Sequence, residues 1–348
     1  MVDSRGTNMT SIRVSAVPLR TPVEDPLNYV PQRTSVPHTP KGFNVSNPEL
    51  PRPLSNSPHK SPLVSGKCKH KQKHQIMSTV EQEITLETRG HTAIISLNLP
   101  KKLNALNGDH YFRLAKLMKE VAARDDIFIT ILTGKGRYFS AGADVSISKS
   151  PPQGTDIQRH YLQGFVAQNL HITHAFYTHP KILIAALNGP AVGLSAALTG
   201  FADFVYAAPH TFILTPFSSL GLVAEGGSSR AFVSRLGISK ANEALIMSKR
   251  ITCEELVSVG YVNGVMDVKP GEDDKFLELV LREVDDRLGK HLIPESLLGI
   301  KKLIRRPERD LLDAQGVAEV FGGLDRFVSG VPQEQFRKIA SGEKKHKL

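Results

Sequence analysis

The sequence predicts an α/β domain in which a largely parallel sheet is covered by helices, followed by a region that is almost wholly helical. Between about residues 80 and 225, short apolar runs rich in β-branched residues alternate with segments of helical periodicity. This alternation is typical of parallel strands joined by helical crossovers. From about residue 226 onward, apolar residues recur mainly at helical spacing.

The ordered part is predicted to begin with a hairpin. Residues 83–88 and 92–97 are rich in β-branched residues and flank a turn at Gly90, which is typical of two antiparallel strands. Residues 108–124 then carry apolar side chains at helical spacing, and 127–132 form a short apolar run that ends at a glycine. The start of the domain is therefore predicted as β-β-α-β.

The remaining segments continue this alternation and then become helical. The predicted elements are, in order, a helix over 156–178, a strand over 182–187, a helix over 194–199, strands over 204–208 and 212–215, and helices over 226–236, 239–248, 253–259, 273–289 and 295–304. Because the strands are apolar on both faces, we expect helices to cover both sides of the sheet.

The first 76 residues differ from the rest of the chain in composition. They contain 11 of the 22 prolines, and 11 Lys and Arg against 4 Asp and Glu, a net charge of +7. Without sustained apolar periodicity, they cannot bury enough surface to offset the conformational entropy lost on folding. We therefore predict a disordered Pro/Ser-rich basic extension over 1–76, a core over 77–270, and a helical C-terminal region with a targeting tail over 271–348. Met77 is an alternative start of the chain.

Two glycine-centred turns each follow a predicted buried strand. The first spans 139–145, with the sequence FSAGADV, and the second spans 188–195, with the sequence NGPAVGLS. A glycine-rich turn that leads into a helix exposes unpaired backbone N–H groups at the positive end of the helix dipole, which suits a developing oxyanion. The alternative is that both are ordinary tight turns.

Three segments resemble the signature stretches of the enoyl-CoA hydratase/isomerase (crotonase) superfamily: PKKLNAL at 100–106, SAGAD at 140–144 and NGPAVGL at 188–194. The resemblance covers roughly residues 80–340. It implies the α/β crotonase (ClpP-like) spiral fold of ββα units, with a crotonase core over 77–270 and a helical C-terminal oligomerisation region that forms a homotrimer or homohexamer. It also implies an acyl-CoA substrate and no metal or redox cofactor, since CoA is part of the substrate.

The resemblance further implies which residues bind the substrate. The backbone N–H groups of Ala143 and Leu194 would form the oxyanion hole for the thioester oxygen. The residues expected to contact CoA are Lys101, Ala141, Gly142, Ala143, Asp144, Val145 and Leu194, with Lys101 near the nucleotide. From its position in the turn alone, Asp144 is better explained as a capping residue than as a proton donor.

The acids expected around this site distinguish reactions within the family. Hydratases of the family use two glutamates, and the corresponding positions here hold Ala197 and Phe217. Glu225 instead resembles the single catalytic glutamate of fungal peroxisomal Δ3,Δ2-enoyl-CoA isomerases, and Asn169 matches a family position near that carboxylate. Without the resemblance, Glu225 would be explained as an acid at the start of the 226–236 helix, where it favours the helix dipole.

The resemblance therefore implies isomerisation of 3-enoyl-CoA to 2-trans-enoyl-CoA in fatty acid β-oxidation. One base suffices, because Glu225 can take a proton from C2 and deliver it to C4 of the dienolate. The alternatives are hydration or dienoyl-CoA isomerisation, including in specialised metabolism, and a catalytically silent acyl-CoA-binding or assembly module.

Composition argues against several other classes. Residues 77–348 carry a net charge of only +3, which predicts no nucleic-acid surface. Cys68 and Cys253 are the only cysteines, so no disulfide framework is expected within the fold. No apolar run is as long as a membrane span. The histidines at 171, 174 and 179 lack accompanying acids or cysteines, so we expect them to pack rather than to bind a metal.

The chain ends in His346-Lys347-Leu348, which resembles a peroxisomal C-terminal address of the Ser-Lys-Leu type. We therefore expect the peroxisomal import receptor to bind this tail and the protein to reach the peroxisome. Import into the mitochondrion through the Arg- and Ser-containing extension is the alternative.

Overall fold

The structure is a computed structural model, and it describes residues 79–144 and 153–344. The predictions for the extension over 1–76, for Val145 and for the tail His346-Lys347-Leu348 therefore fall outside the described residues. The predicted division of the chain at residue 270 stays a prediction.

Two sheets form the centre of the fold. The larger contains β1 Ile84–Arg89, β2 Thr92–Leu97, β3 Ile129–Gly134, β4 Ile182–Leu187, β6 Phe204–Ala207 and β9 Gly264–Val265, and the smaller contains β5 Ala191–Val192, β7 Phe212–Leu214 and β8 Ile251–Thr252. The strand orders are β1-β2-β3-β4-β6-β9 and β5-β7-β8. In the larger sheet only β1 and β2 pair antiparallel, and all other neighbours are parallel. The predicted hairpin and largely parallel sheet are confirmed.

Helices connect and cover these strands. They are α1 Gly108–Ala122, α2 Ile157–Tyr161, α3 Ala167–Tyr177, α4 Gly193–Thr199, α5 Ser228–Leu236, α6 Ile238–Leu245, α7 Cys253–Ser258, α8 Asp273–Leu288, α9 Pro294–Arg305, α10 Arg309–Val328 and α11 Val331–Ala340. A π-helical segment, Leu162–Val166, joins α2 to α3. No helix in the described ranges combines the length and apolar character needed to cross a membrane.

Side chains from β2 and β4 alternate between two apolar cores, one on each face of the large sheet. Ile95 and Leu183 lie in the core that includes Leu117 of α1. Ile94, the neighbour of Ile95 along β2, lies in the opposite core with Phe276 of α8. Every residue of β2, β3 and β4 is buried, which explains why these strands are continuous apolar runs in the sequence.

The predicted elements agree with the structure within a few residues, but β5, α10 and α11 were not predicted individually, and three other differences occur. The helix predicted over 156–178 contains the π-helical segment. The two-residue strands β8 and β9 lie in the stretch that was predicted to be helical. Two residues are too few to produce a periodic pattern, so the sequence gives no signal for such strands.

The helices of the C-terminal region fold back over the segment between β7 and α5. Val320 and Leu324 of α10 form a small core with Val166, the last residue of the π-helical segment. The Arg326 side chain donates a hydrogen bond of 2.8 Å from its Nε atom to the carbonyl of Gly221. This packing places α10 directly against the loop between β7 and α5.

Candidate active site

The structure brings the two glycine-centred turns into direct contact. Ser140 forms a parallel β-bridge with Ala191, and the Val192 N–H donates a hydrogen bond of 2.9 Å to the Ser140 carbonyl. Gly142 has a φ of +88°, and a Cβ atom on it would lie 2.9 Å from the Val192 carbonyl oxygen. The close approach of the two turns therefore requires glycine at position 142.

The predicted donor N–H groups are not used by the fold. Leu106 and Ala143 are paired in a parallel β-bridge. The Leu106 N–H donates a hydrogen bond of 2.8 Å to the Gly142 carbonyl, and the Asp144 N–H donates one of 2.9 Å to the Leu106 carbonyl. These bonds flank Ala143 and leave its own N–H outside the ladder. Leu194 is the second residue of α4, where N–H groups have no acceptor within the helix. Within residues 79–144 and 153–344, neither N–H donates to another residue, so both can donate to a ligand oxygen.

A buried chain of hydroxyl groups supports the two turns. Ser140 Oγ lies 2.7 Å from the Asn104 carbonyl and 2.9 Å from Ser195 Oγ, and it accepts a 3.1 Å hydrogen bond from Gly142 N–H. Ser195 Oγ also lies 3.0 Å from the Tyr111 hydroxyl on α1. All of these side chains are buried. The network ties both turns to α1 and thereby holds the two donor N–H groups in place.

Glu225 lies in the loop that leads into α5, and its carboxylate faces α3. The Asn169 side chain donates from Nδ2 to Glu225 Oε2 at 2.9 Å. One turn further along α3, Thr173 donates from Oγ1 to Asn169 Oδ1 at 3.2 Å. Because the amide oxygen is already occupied by Thr173, the Asn169 NH₂ group is directed at Glu225. The structure thus brings together the two residues that the sequence singled out 56 positions apart.

The surroundings of Glu225 make it an unusually strong base. Burial raises the pKa of the Glu225 carboxyl to about 8, the negative charge of Glu319 contributes in the same direction, and the Asn169 hydrogen bond opposes them. Burial also raises the pKa of the Tyr111 phenol, and the Glu225 charge adds to that effect, which indicates that Tyr111 lies near Glu225. A carboxylate with a pKa near neutrality is suited to move protons to and from carbon.

The turn after Glu225 packs against the helix that carries the Leu194 N–H. A Cβ atom on Gly226 would lie 2.6 Å from Leu194 Cδ1 and 3.1 Å from the Cβ of Ala197. Ala197, at the position that holds a glutamate in hydratases of the family, is fully buried in this packing. The base and one of the two donor N–H groups therefore share a single packed unit.

Sequence reasoning missed Glu319, a buried acid on α10 that is 6% exposed. Its carboxylate accepts hydrogen bonds from Gly227 N–H at 2.6 Å and from Ser229 N–H at 2.9 Å. Glu319 is followed by Val320 and lies on the buried side of α10. The helix that carries Glu319 was predicted only as part of a longer helical region, so no local pattern assigned Glu319 to a buried face.

The residues expected to contact CoA lie along one edge of the site. Lys101 is exposed on a 3-10 turn, Pro100–Lys102. The Ala141 N–H donates a hydrogen bond of 2.8 Å to the Leu103 carbonyl, and this bond joins the 3-10 turn to the first glycine-centred turn. Asp144 Oδ2 lies 3.4 Å from Lys102 Nζ, so Lys102 contributes a second positive charge beside Lys101. Val145 lies outside the described residues.

Within the described ranges, none of the three histidines highlighted by their spacing forms a hydrogen bond or ion pair with Glu225. His179 is buried, with its Nε2 atom 2.8 Å from Thr130 Oγ1, and burial lowers its pKa to about 3, so it is neutral. His171 stacks on Phe112 with ring centroids 5.4 Å apart. Among the described residues, no group of three His, Cys, Asp or Glu side chains is arranged to hold a metal ion.

Comparisons with known proteins identify the family to which the chain is similar. The family model described as Enoyl-CoA hydratase/isomerase matches residues 87–278. Over 275 residues, the chain is 59% identical to a Delta(3,5)-Delta(2,4)-dienoyl-CoA isomerase of Pyricularia oryzae. This match covers 76% of this chain and 98% of that protein. It is 34% identical, also over 275 residues, to a 3,2-trans-enoyl-CoA isomerase of Saccharomyces cerevisiae, covering 77% and 97% of the two proteins.

Solved structures show the same architecture. A crystal structure of an enoyl-CoA hydratase/isomerase from Pseudoalteromonas atlantica superposes with a TM-score of 0.65 and 24% sequence identity, covering 76% of this chain and 100% of that one. At this identity the likeness concerns the fold alone.

Proposed function

Because the chain belongs to the enoyl-CoA hydratase/isomerase (crotonase) family, we propose that it is an isomerase that converts 3-enoyl-CoA to 2-trans-enoyl-CoA in fatty acid β-oxidation. The observation that carries this proposal is Glu225. It is a carboxylate whose pKa is raised by burial to about 8, and it is packed through Gly226 against the helix that presents the Leu194 N–H. One strong base beside an oxyanion hole is what a double-bond shift requires.

In the first step, Glu225 takes a proton from C2 of the 3-enoyl thioester. The electron pair of the broken C–H bond spreads over C2 to C4 and the thioester carbonyl, giving a dienolate whose negative charge rests largely on oxygen. The N–H groups of Ala143 and Leu194 donate hydrogen bonds to that oxygen. In other enzymes, removal of one such donor costs about 3–4 kcal/mol of transition-state stabilisation.

In the second step, the protonated Glu225 delivers the proton to C4. The C2–C3 double bond forms, conjugated with the thioester, and Glu225 returns to its ionised state. Water addition instead needs a second group positioned to activate the water. Ala197 and Phe217 occupy the positions of the two hydratase acids and are both buried, which argues against hydration.

A second candidate is the isomerisation of 3,5-dienoyl-CoA to 2,4-dienoyl-CoA. It is favoured by the name of the Pyricularia oryzae relative, which is 59% identical to this chain. The first step is the same, but the proton then goes to C6, two carbons further along the chain. Glu225 and the two donor N–H groups are consistent with the shared first step, so the reactions differ in where the proton is delivered.

We also propose a homotrimer or homohexamer and a peroxisomal location. An exposed apolar face on α9, formed by Ile300, Leu303 and Ile304, supports association of subunits through the C-terminal region. The ending His346-Lys347-Leu348 supports import into the peroxisome.

The proposal is tested by giving the purified full-length chain a 3-enoyl-CoA, a 3,5-dienoyl-CoA and a 2-enoyl-CoA in separate spectrophotometric assays. The expected result is formation of the conjugated 2-enoyl thioester from the first substrate and no hydration of the third. Turnover of the dienoyl substrate alone would establish the second candidate. Hydration of the 2-enoyl thioester, or binding of all three thioesters without turnover, would contradict both isomerase proposals.

A further inference from the structure

The turn that follows Glu225 is fastened by an acid from a distant part of the chain. Helix α5 begins after Gly227, which has a φ of +71° and offers no side chain to cap the helix. Glu319, 92 positions away on α10, caps the helix instead. Its Oε2 atom accepts a hydrogen bond from Gly227 N–H at 2.6 Å. Its Oε1 atom accepts hydrogen bonds from Ser229 N–H at 2.9 Å and from Ser229 Oγ at 2.5 Å. The start of α5 is therefore held by the C-terminal region.

Glu319 is bound in a way that favours its ionised form. Both carboxylate oxygens accept hydrogen bonds, and two of the three donors are backbone N–H groups, which cannot accept a proton from Glu319. Burial acts in the opposite direction and raises the pKa of Glu319, while the bonds from Ser229 and Gly227 lower it. Three donors aimed at one carboxylate are an arrangement that binds the anion.

Of the residues that the structure describes, Glu319 is the one charged group that acts electrostatically on the Glu225 carboxyl. Asn169 on α3 donates a hydrogen bond to Glu225, the Glu225 charge acts on the Tyr111 phenol of α1, and Leu194 of α4 packs against the adjacent Gly226. Among the described residues, no lysine, arginine or histidine forms a hydrogen bond or ion pair with Glu225. The second carboxylate is consequently not screened by a cation at the site.

We propose that Glu319 is a positioning residue for Glu225: it fixes the Gly226-Gly227 turn that orients the base, and its ionised carboxylate favours proton binding at Glu225. This inference rests on the proposed role of Glu225. Like charges placed near each other favour the protonated form of one of them, so an ionised Glu319 strengthens proton binding at Glu225. The negative charge of Glu319 does contribute to the raised pKa of Glu225.

Two variants separate charge from position. Glu319→Gln keeps the size of the side chain and removes the charge, whereas Glu319→Asp keeps the charge and withdraws it by one methylene. Glu308→Gln is the matched control. Glu308 is also an acid that joins the C-terminal region to α5, through two hydrogen bonds of 2.8 Å to Arg230, but it does not contact the turn after Glu225.

The readouts are the pH dependence of kcat/KM and an infrared titration of the Glu225 carboxyl, assigned by its loss in Glu225→Gln. With Glu319→Gln, we expect both titrations to move to lower pH by about one unit. We expect the limiting kcat reached at high pH, where Glu225 is fully ionised, to fall because the base is weaker. With Glu319→Asp, we expect kcat to fall while both titrations stay near their wild-type position. Glu308→Gln should change neither.

An unmoved titration in a folded Glu319→Gln protein would overturn the proposal, whatever happens to kcat, because a purely structural role predicts a loss of rate without a shift. If Glu319→Gln does not fold, Glu319→Asp decides, and an unchanged kcat in that variant would overturn the positioning role. The infrared titration does not depend on turnover. It therefore distinguishes failure of this inference from failure of the proposed reaction, which would appear as unimpaired turnover by Glu225→Gln.

Discussion

Asn169 offers the most quantitative test of how the site sets the basicity of Glu225. Its amide donates a 2.9 Å hydrogen bond to the carboxylate, and a hydrogen bond to a charged group contributes about 1.5–3 kcal/mol. Asn169→Leu removes the donor while keeping a side chain of similar shape that excludes water. At about 1.4 kcal/mol per pKa unit, loss of this bond raises the pKa of Glu225 from about 8 by roughly one to two units.

This shift has a direct kinetic consequence, because only the ionised form of Glu225 can accept the C2 proton. With a pKa of about 8, roughly a tenth of the wild-type enzyme is in the active form at pH 7. In Asn169→Leu the active fraction falls by a further factor of about 10 to 100. We expect kcat/KM to fall by that factor at neutral pH and to recover progressively as the pH rises.

The assay is the pH profile of kcat/KM with a 3-enoyl-CoA, measured for wild type, Asn169→Leu and the control Gln168→Ala. Gln168 is the exposed neighbour of Asn169 on α3, and its side chain makes no hydrogen bond to Glu225. We expect the control to follow the wild-type profile. An Asn169→Leu profile that stays in place, or that moves to lower pH, would refute the reasoning.

Three further predictions follow from the same structure. Glu225 retains its proton in the folded state up to about pH 8 but loses it near pH 4.5 when unfolded. Between these values the free energy of unfolding therefore falls as the pH rises, by at most about 1.4 kcal/mol per pH unit. Urea unfolding of Glu225→Gln should lack this decline, and a decline identical to that of the wild type would contradict the prediction. Gly142→Ala places a Cβ atom 2.9 Å from the Val192 carbonyl oxygen at a φ of +88°. We therefore expect a lower melting temperature and a more than tenfold loss of kcat. Wild-type kinetics in this variant would show that the two turns need not approach so closely. Removal of Leu348 should leave kcat unchanged and abolish peroxisomal import of a fluorescent fusion protein. Continued import would show that the C-terminal tripeptide is not the targeting signal.

The fold could be predicted because its information is local. The apolar runs of β2, β3 and β4 and the helical spacing in α1 are readable from neighbouring residues, and the resemblance of three short segments indicated the family. The comparisons confirm that family and the crotonase fold. They support an isomerase of this family but do not distinguish between the two isomerase reactions, since the relatives include both enoyl-CoA and dienoyl-CoA isomerases.

The candidate site was only partly predictable, because most of its supporting contacts join distant residues. Glu225 and Asn169 stood out through the resemblance, and the structure places them in hydrogen-bond contact. Glu319 did not, because its partner Gly227 is 92 positions away and nothing local marks it as buried. Tyr111 was recognised only as an apolar position of α1, and its contact with Ser195 depends on how α1 packs against α4.

The central claim is that Glu225 is the base that removes the C2 proton. The most direct test is the turnover of a 3-enoyl-CoA by Glu225→Gln, compared with wild type at about pH 9, where most of the wild-type base is ionised given a pKa of about 8. The account predicts a loss of about 10²- to 10⁴-fold in kcat with binding of the thioester retained. Turnover within a few-fold of wild type would contradict it.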